Sequence, residues 1–256
     1  STIDIVVPVY NEEQALPNSI LILTDFLKAN ITIPWKIIIA DNASTDSTRS
    51  VSEMLCERYP GVNYLYMPQK GRGGALRKVW LDSTADIVSY MDVDLATNLD
   101  HFPQLIESFD SGYHIAIGSR LSKGSRVTRS IKREVLSRTY NLMIKSMMFT
   151  GFPDAQCGFK ALTRETAIAI VPQIKDNNWF FDTELLIIAA KRGYRISSVP
   201  VKWDDDPNSS VKVARTIGES ILGLLRLRFG GVPWVPPPGN KTQEDNPRQS
   251  PERSEP

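Results

Sequence analysis

Five short apolar runs, each separated from the next by a helical pattern, fill the first half of the 256-residue chain. They lie at Ile3–Val9, 35–40, Val62–Met67, Ile87–Met91 and 114–118. Runs this short, apolar at most positions and rich in β-branched residues, suit parallel strands buried on both faces. Helices are expected between them, over 11–29, 46–59, 74–83 and 99–110. Asn11 is the expected N-cap of the first, with Glu12 and Glu13 where the helix dipole favours negative charge and Pro17 a blemish near its second turn. Strand and helix alternating at this spacing leave few options besides an α/β fold around a mostly parallel sheet flanked by helices. In such a sheet, ligands sit beyond the carboxyl ends of the strands.

The second half is less regular. Amphipathic helices are expected over 131–149 and 211–229, a short apolar helix over 183–191 and a strand over 196–201. From Val232 the composition turns to Pro, Ser and charge, so the reading is one domain over 1–231 and a disordered tail over 232–256. There is no internal repeat. A formal net charge of +1 gives no electrostatic case for nucleic acid. Cys56 and Cys157 form no CxxC pattern, which removes a zinc site and fits a reducing compartment. No apolar run approaches the roughly 18 residues of a membrane span. The expected location is therefore cytoplasmic, with any membrane contact made from the surface.

Chemistry-bearing residues fall at the strand ends. Asp92 and Asp94 close the fourth apolar run, and two carboxylates at that spacing suit one hard cation, Mg²⁺ or Mn²⁺, bridging to phosphate. Their bland alternative is a solvated turn. Asp41 closes the second run, where a carboxylate accepts from a base N–H or a ribose hydroxyl; Asp46, five residues on, reads as a helix cap. Lys70-Gly71-Arg72-Gly73-Gly74-Ala75 opens a helix after the third run and suits phosphate, although it matches neither a Walker loop nor GxGxxG. Arg120 begins a basic segment with Lys123, Arg126, Arg129, Lys132, Arg133 and Arg138, read as a phosphate clamp or as a solvated helix face. Asp182 and Glu184 are helix-start carboxylates, either dipole partners or groups facing a sugar hydroxyl, and Glu184 is carried forward as a catalytic candidate.

Together, Val7-Pro8-Val9-Tyr10-Asn11-Glu12, Asp41 to Asp46, Lys70 to Ala75 and Asp92-Val93-Asp94 resemble, in order, the motifs of glycosyltransferase family 2. Gly118-Ser119-Arg120, Arg133, Ser137 and Asp154-Ala155-Gln156-Cys157-Gly158-Phe159-Lys160 resemble its polyprenyl-phosphate sugar synthases. Within these the dolichyl-phosphate glucosyltransferase type is nearest, then the mannose synthases. The resemblance covers residues 3 to 229. It implies a GT-A fold with C-terminal amphipathic helices and an inverting reaction. It implies that Pro8, Tyr10, Glu12, Asp41, Lys70, Gly71, Arg72, Asp92 and Val93 line the nucleotide sugar. Asp92 and Asp94 would hold the metal and, with Arg120 and Glu184, form the catalytic set, while Arg120, Arg133 and Ser137 would receive the lipid phosphate. Where some mannose synthases have a third, Gln metal ligand, this chain has Ala96. A late basic residue is matched loosely by Lys212.

The expected activity is hexose transfer from a nucleotide diphosphate sugar, UDP-glucose first, to polyprenyl phosphate at the cytoplasmic face of a membrane. A separate membrane protein is a plausible anchor. A lipid phosphate is already an anionic nucleophile, so positioning of like charges matters more than a strong base. GDP-mannose or a UDP-N-acetylhexosamine as donor, a soluble glycan as acceptor, and a non-catalytic nucleotide-sugar-binding subunit are the rival readings.

Overall fold

The structure is a computed structural model that describes residues 1–204 and 213–238, the side chains of 213–217 excepted. In chain order the elements begin with β1 (Ile3–Val9), α1 (Leu16–Asn30), β2 (Trp35–Asn42), α2 (Thr48–Arg58), β3 (Val62–Met67), α3 (Arg72–Asp82) and β4 (Ile87–Met91). A 3-10 turn at Leu99–His101 leads into α4 (Phe102–Glu107), β5 (Ile115–Ser119), β6 (Arg126–Thr128) and α5 (Ile131–Met148). Then come β7 (Phe159–Thr163), α6 (Arg164–Ile170), α7 (Phe181–Lys191), β8 (Ile196–Pro200), β9 (Lys202–Asp204) and α8 (Val213–Gly230).

The main sheet runs β3-β2-β1-β4-β7-β5-β8, with β6 and β9 forming a separate parallel ribbon. All neighbours in the main sheet pair in parallel except at β7, which is antiparallel to both β4 and β5. The α/β expectation is thus met. The apolar runs are continuous because both sheet faces are covered: in β1, Val6 joins the core under α3 and α7, while Ile3, Ile5, Val7 and Val9 join the core under α1 and α2. Each such side chain contributes on the order of 1.5–3 kcal/mol by leaving water.

Four local expectations are revised. Asn11 does not cap α1; it is left-handed at φ 56, and the helix begins at Leu16 with Pro17 in its first turn, where a missing N–H costs little. Residues 159–163, where no strand was expected, form β7, with Lys160, its second residue, fully buried. Thr163 ends that strand and caps α6 by accepting from the Thr166 N–H, a helix the sequence reading passed over. The boundary at Val232 is also not the end of packing. Arg192 donates to the carbonyls of Val232 and Pro233, Tyr194 donates to that of Pro236, and Val235 is buried. The rest of the expected tail, 239–256, lies outside the described residues.

The amphipathic helices divide as their spacing implies. Leu227 is buried and Met143 and Met147 pack on the core, whereas Leu142 and Leu222 are 67% and 68% exposed. Ile131, Phe149, Phe229 and Trp234 are exposed as well. Among the described residues no helix is long and apolar enough to cross a membrane.

Candidate active site

Strand order reverses between β1 and β4, so the crevice beyond their carboxyl ends is where an open parallel sheet takes its ligand. Among the described residues, three of the four non-glycine residues with positive φ, Asn11, Ala43 and Leu95, follow β1, β2 and β4 at this edge. Such conformations cost of the order of 1–3 kcal/mol each and persist only where the surroundings impose them. At β1 and β2 the cause is visible. The Asn11 N–H donates to Ser44 Oγ at 2.9 Å, and Asn11 Oδ1 accepts from the Thr45 N–H at 2.8 Å. Glu13 accepts from the Ser47 N–H, and Asp46 accepts from both the N–H and the hydroxyl of Thr48. The two strand-end loops are one hydrogen-bonded unit, and Asp46, expected as the cap, stands one residue before the Ser47 cap position while accepting from the N–H of Thr48, the first residue of α2.

The nucleotide candidates gather around this unit. Pro8 pairs in register with Ala40, and Glu12 donates its backbone N–H to Thr48 Oγ1. Asp41 is fully buried and accepts from the Ser44 N–H and from the Tyr64 hydroxyl, both at 2.9 Å. Burial, and then Asp41, push the Tyr64 phenol well up. Beside Asp41, Asn42 is buried with no hydrogen-bond partner for its Oδ1 among the described residues. Tyr10 is part-exposed, and the Lys70 ammonium sits 3.2 Å over its ring. This cation–π contact joins the end of β1 to the loop before α3.

The glycines of that loop have packing partners. A Cβ on Gly71 would lie 2.8 Å from the Asn177 carbonyl oxygen, and one on Gly73 would lie 2.5 Å from the Phe181 Cβ. Gly74 donates to the same Asn177 carbonyl at 3.0 Å. At Gly71 and Gly73 the missing side chains therefore let α3 close against the segment entering α7, in addition to leaving backbone near the crevice.

Asp92 and Asp94 follow β4 and line a small hollow with Leu95, Ala96, Thr97 and Gly158. Val93, between them, is buried. Gly158 makes the hollow possible, because a Cβ there would fall 1.7 Å from Asp92 Oδ2. Two carboxylates offering hard oxygen donors over this cradle fit a divalent cation such as Mg²⁺ or Mn²⁺. No group of three His, Cys, Asp or Glu is placed to hold a metal among the described residues. Asp94 Oδ1 also accepts from the Ala96 N–H at 3.0 Å.

Arg72, the first residue of α3, bridges two carboxylates. Its Nη2 meets Asp92 Oδ1 and its Nη1 meets Asp182 Oδ2, each at 2.7 Å. The guanidinium lies over the rings of Tyr90 and Trp179 at 4.7 and 5.0 Å. Asp182 also accepts from the Tyr90 hydroxyl at 2.6 Å and pairs with Lys160 Nζ at 3.0 Å. Burial alone would raise the Asp182 carboxyl, but Lys160 and Arg72 hold it below its ordinary range. Burial, then Asp182, push the Tyr90 phenol far up.

Asp182, raised in the sequence only as one of two helix-start carboxylates, and Lys160, quoted there only within the 154–160 motif, are therefore paired at the site, a pairing the sequence reading did not make. The available signal was a carboxylate in a helix apolar all round, which needs a buried partner. Glu184, chosen instead, points its carboxylate elsewhere. Its two oxygens take both terminal nitrogens of Arg226 at 2.9 and 2.8 Å, and one also accepts from the Asp176 N–H. It ties α7 to α8.

Arg120 is equally engaged. It grips the buried Asp154 through Nε at 2.8 Å, Nη2 at 3.0 Å and its backbone N–H at 3.1 Å. Burial would raise Asp154, and Arg120 instead holds it at about 2. Arg129 and Arg138 both pair with Glu134. Arg133 is half-buried in the first turn of α5, and Ser137, one turn on, is buried with no hydrogen-bond partner for its Oγ among the described residues. Lys212 lies outside the described residues.

A family model described as glycosyl transferase family 2 matches residues 4–170. The glycosyltransferase AglD of Haloferax volcanii is 32% identical over 86% of this chain, which spans only 36% of that protein. The dolichyl-phosphate beta-glucosyltransferase of Dictyostelium discoideum is 32% identical, over 89% of this chain and 74% of its own length. Its Homo sapiens counterpart is 29% identical, over 91% and 77%. Among solved structures, glucosyl-3-phosphoglycerate synthase from Mycobacterium tuberculosis in complex with UDP superposes with a TM-score of 0.67. That match covers 90% of this chain and 80% of that one at 19% identity, a likeness of fold, and it bears out the GT-A expectation.

Proposed function

This chain belongs to glycosyltransferase family 2, and from that premise we propose that it moves a hexose from a nucleotide diphosphate sugar to a polyprenyl phosphate at a membrane surface. Glucose from UDP-glucose is the first reading of the donor, and a dolichyl-type lipid phosphate that of the acceptor. The acceptor reading draws on the names of relatives that share most of this chain. The observation that supports a nucleotide-sugar donor is that Tyr10, Asp41 and the Asp92–Asp94 pair lie at the carboxyl ends of the adjacent strands β1, β2 and β4, with Lys70 over the Tyr10 ring.

In this reading Asp92 and Asp94 hold Mg²⁺ or Mn²⁺, which would neutralise charge on the departing nucleoside diphosphate. Tyr10, Glu12 and Asp41 receive the nucleoside, with Pro8 and Val93 shaping the strand ends beneath it. Lys70 and Arg72 bring positive charge to the diphosphate, beside the Gly71 turn. Arg133 and the Ser137 hydroxyl, which has no hydrogen-bond partner among the described residues, receive the acceptor phosphate. Arg120 supports that side by fixing Asp154, and Glu184 by fixing α8. The acceptor's own phosphate oxygen is the nucleophile, so none of these groups is required to be a strong base. The exposed Leu142, Phe149, Leu222 and Phe229, with Lys145 and Arg228 nearby in sequence, suit the bilayer interface.

The test is sugar transfer to polyprenyl phosphate with Mn²⁺ or Mg²⁺ across a panel of UDP- and GDP-sugars. Lipid-linked product from one donor is the expected result. Product on a soluble glycan but none on lipid phosphate would remove the acceptor assignment.

A further inference from the structure

We propose that Arg72 is the exchange partner of the divalent cation: it neutralises Asp92 when the metal is absent and yields that carboxylate when the metal arrives. The proposal rests on the metal reading of Asp92 and Asp94 given above, and it adds a role for a residue otherwise counted only among the donor contacts.

Arg72 is held in a way that suits exchange. One prong grips Asp182, whose side chain is 5% exposed and which Lys160 and the Tyr90 hydroxyl also engage. The other prong grips Asp92, whose side chain is 43% exposed. The buried prong is an anchor, because leaving Asp182 would strip a buried carboxylate of a counter-charge. The exposed prong is weak, since water competes for Asp92. Stacking between Tyr90 and Trp179 supports the guanidinium while that prong changes partner.

Charge balance points the same way. Arg72 and Lys160 offset Asp92 and Asp182 one for one. A divalent cation on Asp92 and Asp94 makes the Arg72 charge surplus on the metal side, and a nucleoside diphosphate is the anion that would use it. The arginine therefore spares the empty site an unpaired carboxylate and delivers its charge to the diphosphate only when metal is bound.

The experiment titrates the full chain with Mn²⁺ alone, without nucleotide, reading free Mn²⁺ by electron paramagnetic resonance. Arg72→Met should bind Mn²⁺ about three- to fivefold more tightly than the parent, the scale of the half-exposed pair it removes. In the parent, Mn²⁺ should change the Trp179 emission, identified by its loss in Trp179→Phe, and Arg72→Met should abolish that change. Arg72→Met binding Mn²⁺ no more tightly than the parent would overturn the exchange. If the Met variant does not fold, Arg72→Lys takes its place, since a lysine cannot span both carboxylates; it should tighten Mn²⁺ about twofold on the same scale. Unchanged affinity in that variant would equally refute the idea. Asp94→Ala separates the two readings: Mn²⁺ binding that survives it removes the metal site itself, whereas binding lost there but insensitive to Arg72 removes only the exchange.

Discussion

Arg72 and Arg120 have much in common. Each lies near the carboxyl end of a strand of the main sheet, each was expected at a phosphate, and their side chains are 12% and 11% exposed. They differ in how the fork is used. Arg120 commits Nε and Nη2 to one carboxylate, Asp154, which is itself fully buried. Arg72 divides its fork between a buried carboxylate and a half-exposed one. A fork closed on one buried partner has no face to offer a ligand without breaking a buried pair, so it serves the fold. A fork shared across a water-facing carboxylate can change partners at low cost, so it serves the site. Partner burial, rather than residue type or motif position, separates the two.

The largest effect expected on the crevice side comes from Asp92 and Asp94, the carboxylates proposed to hold the metal. Asp92→Ala or Asp94→Ala should lower turnover at least about 10²- to 10³-fold, the scale of losing one preorganised electrostatic contact. Thermal unfolding should stay near the parent's, because neither side chain is buried. Metal-dependent turnover retained in both variants would break the contrast from its functional side.

On the closed side the effect should be on stability. Arg120→Met leaves Asp154 buried and uncompensated, a loss of about 3–5 kcal/mol in urea unfolding at neutral pH. The pH dependence carries the sign. Asp154 is held at about 2, below its ordinary 3.8, so in the parent its stabilisation is full above about pH 4 and fades as pH falls towards 2. In the variant the unpaired carboxyl rises instead, and protonation relieves it, so the gap between variant and parent should narrow on acidification. A gap constant from pH 7 to pH 3 would mean that the pair is not what Arg120 supplies.

The same distinction explains what the sequence could reveal. The strands were legible because a parallel sheet covered on both faces writes itself as uninterrupted Val, Ile and Leu. β7 was not, because its second residue is Lys160, and a lysine belongs in a core strand only if a counter-charge meets it. That counter-charge, Asp182, is on α7. Asp92 and Asp94 were legible because their spacing at a strand end is local. The partner that completes Arg72 was not, since Arg72 and Asp182 stand 110 positions apart. Glu184 was preferred over Asp182 with nothing in the sequence to show that α8 would bring Arg226 to it. Asn11 resembled a cap because its side chain does cap backbone, but that of the neighbouring strand's loop.

Arg133 tests whether the acceptor side has an arginine that serves a ligand. Arg133→Ala should raise the KM for lipid phosphate about 10- to 100-fold, the worth of one charge-assisted hydrogen bond, and leave the donor KM within about twofold. Equal losses for donor and acceptor would assign Arg133 to the fold, alongside Arg120.

The smallest effect expected is at Tyr10 and Lys70, and it sharpens the comparison most. Their contact is a cation on an exposed ring, with no carboxylate between them. An exposed cation–π pair contributes about 0.5–1 kcal/mol, so Tyr10→Ala should raise the donor KM only about two- to fivefold, with little change in kcal-scale stability or in Mn²⁺ affinity. The Lys70→Ala variant should lose somewhat more, because it also removes a charge from the diphosphate side, and the double variant should fall short of the summed losses, since each partner presents the other. Full additivity would mean that Tyr10 and Lys70 meet the donor independently and that the ring does not position the ammonium. The contrast with Arg120 would then rest on Arg72 alone.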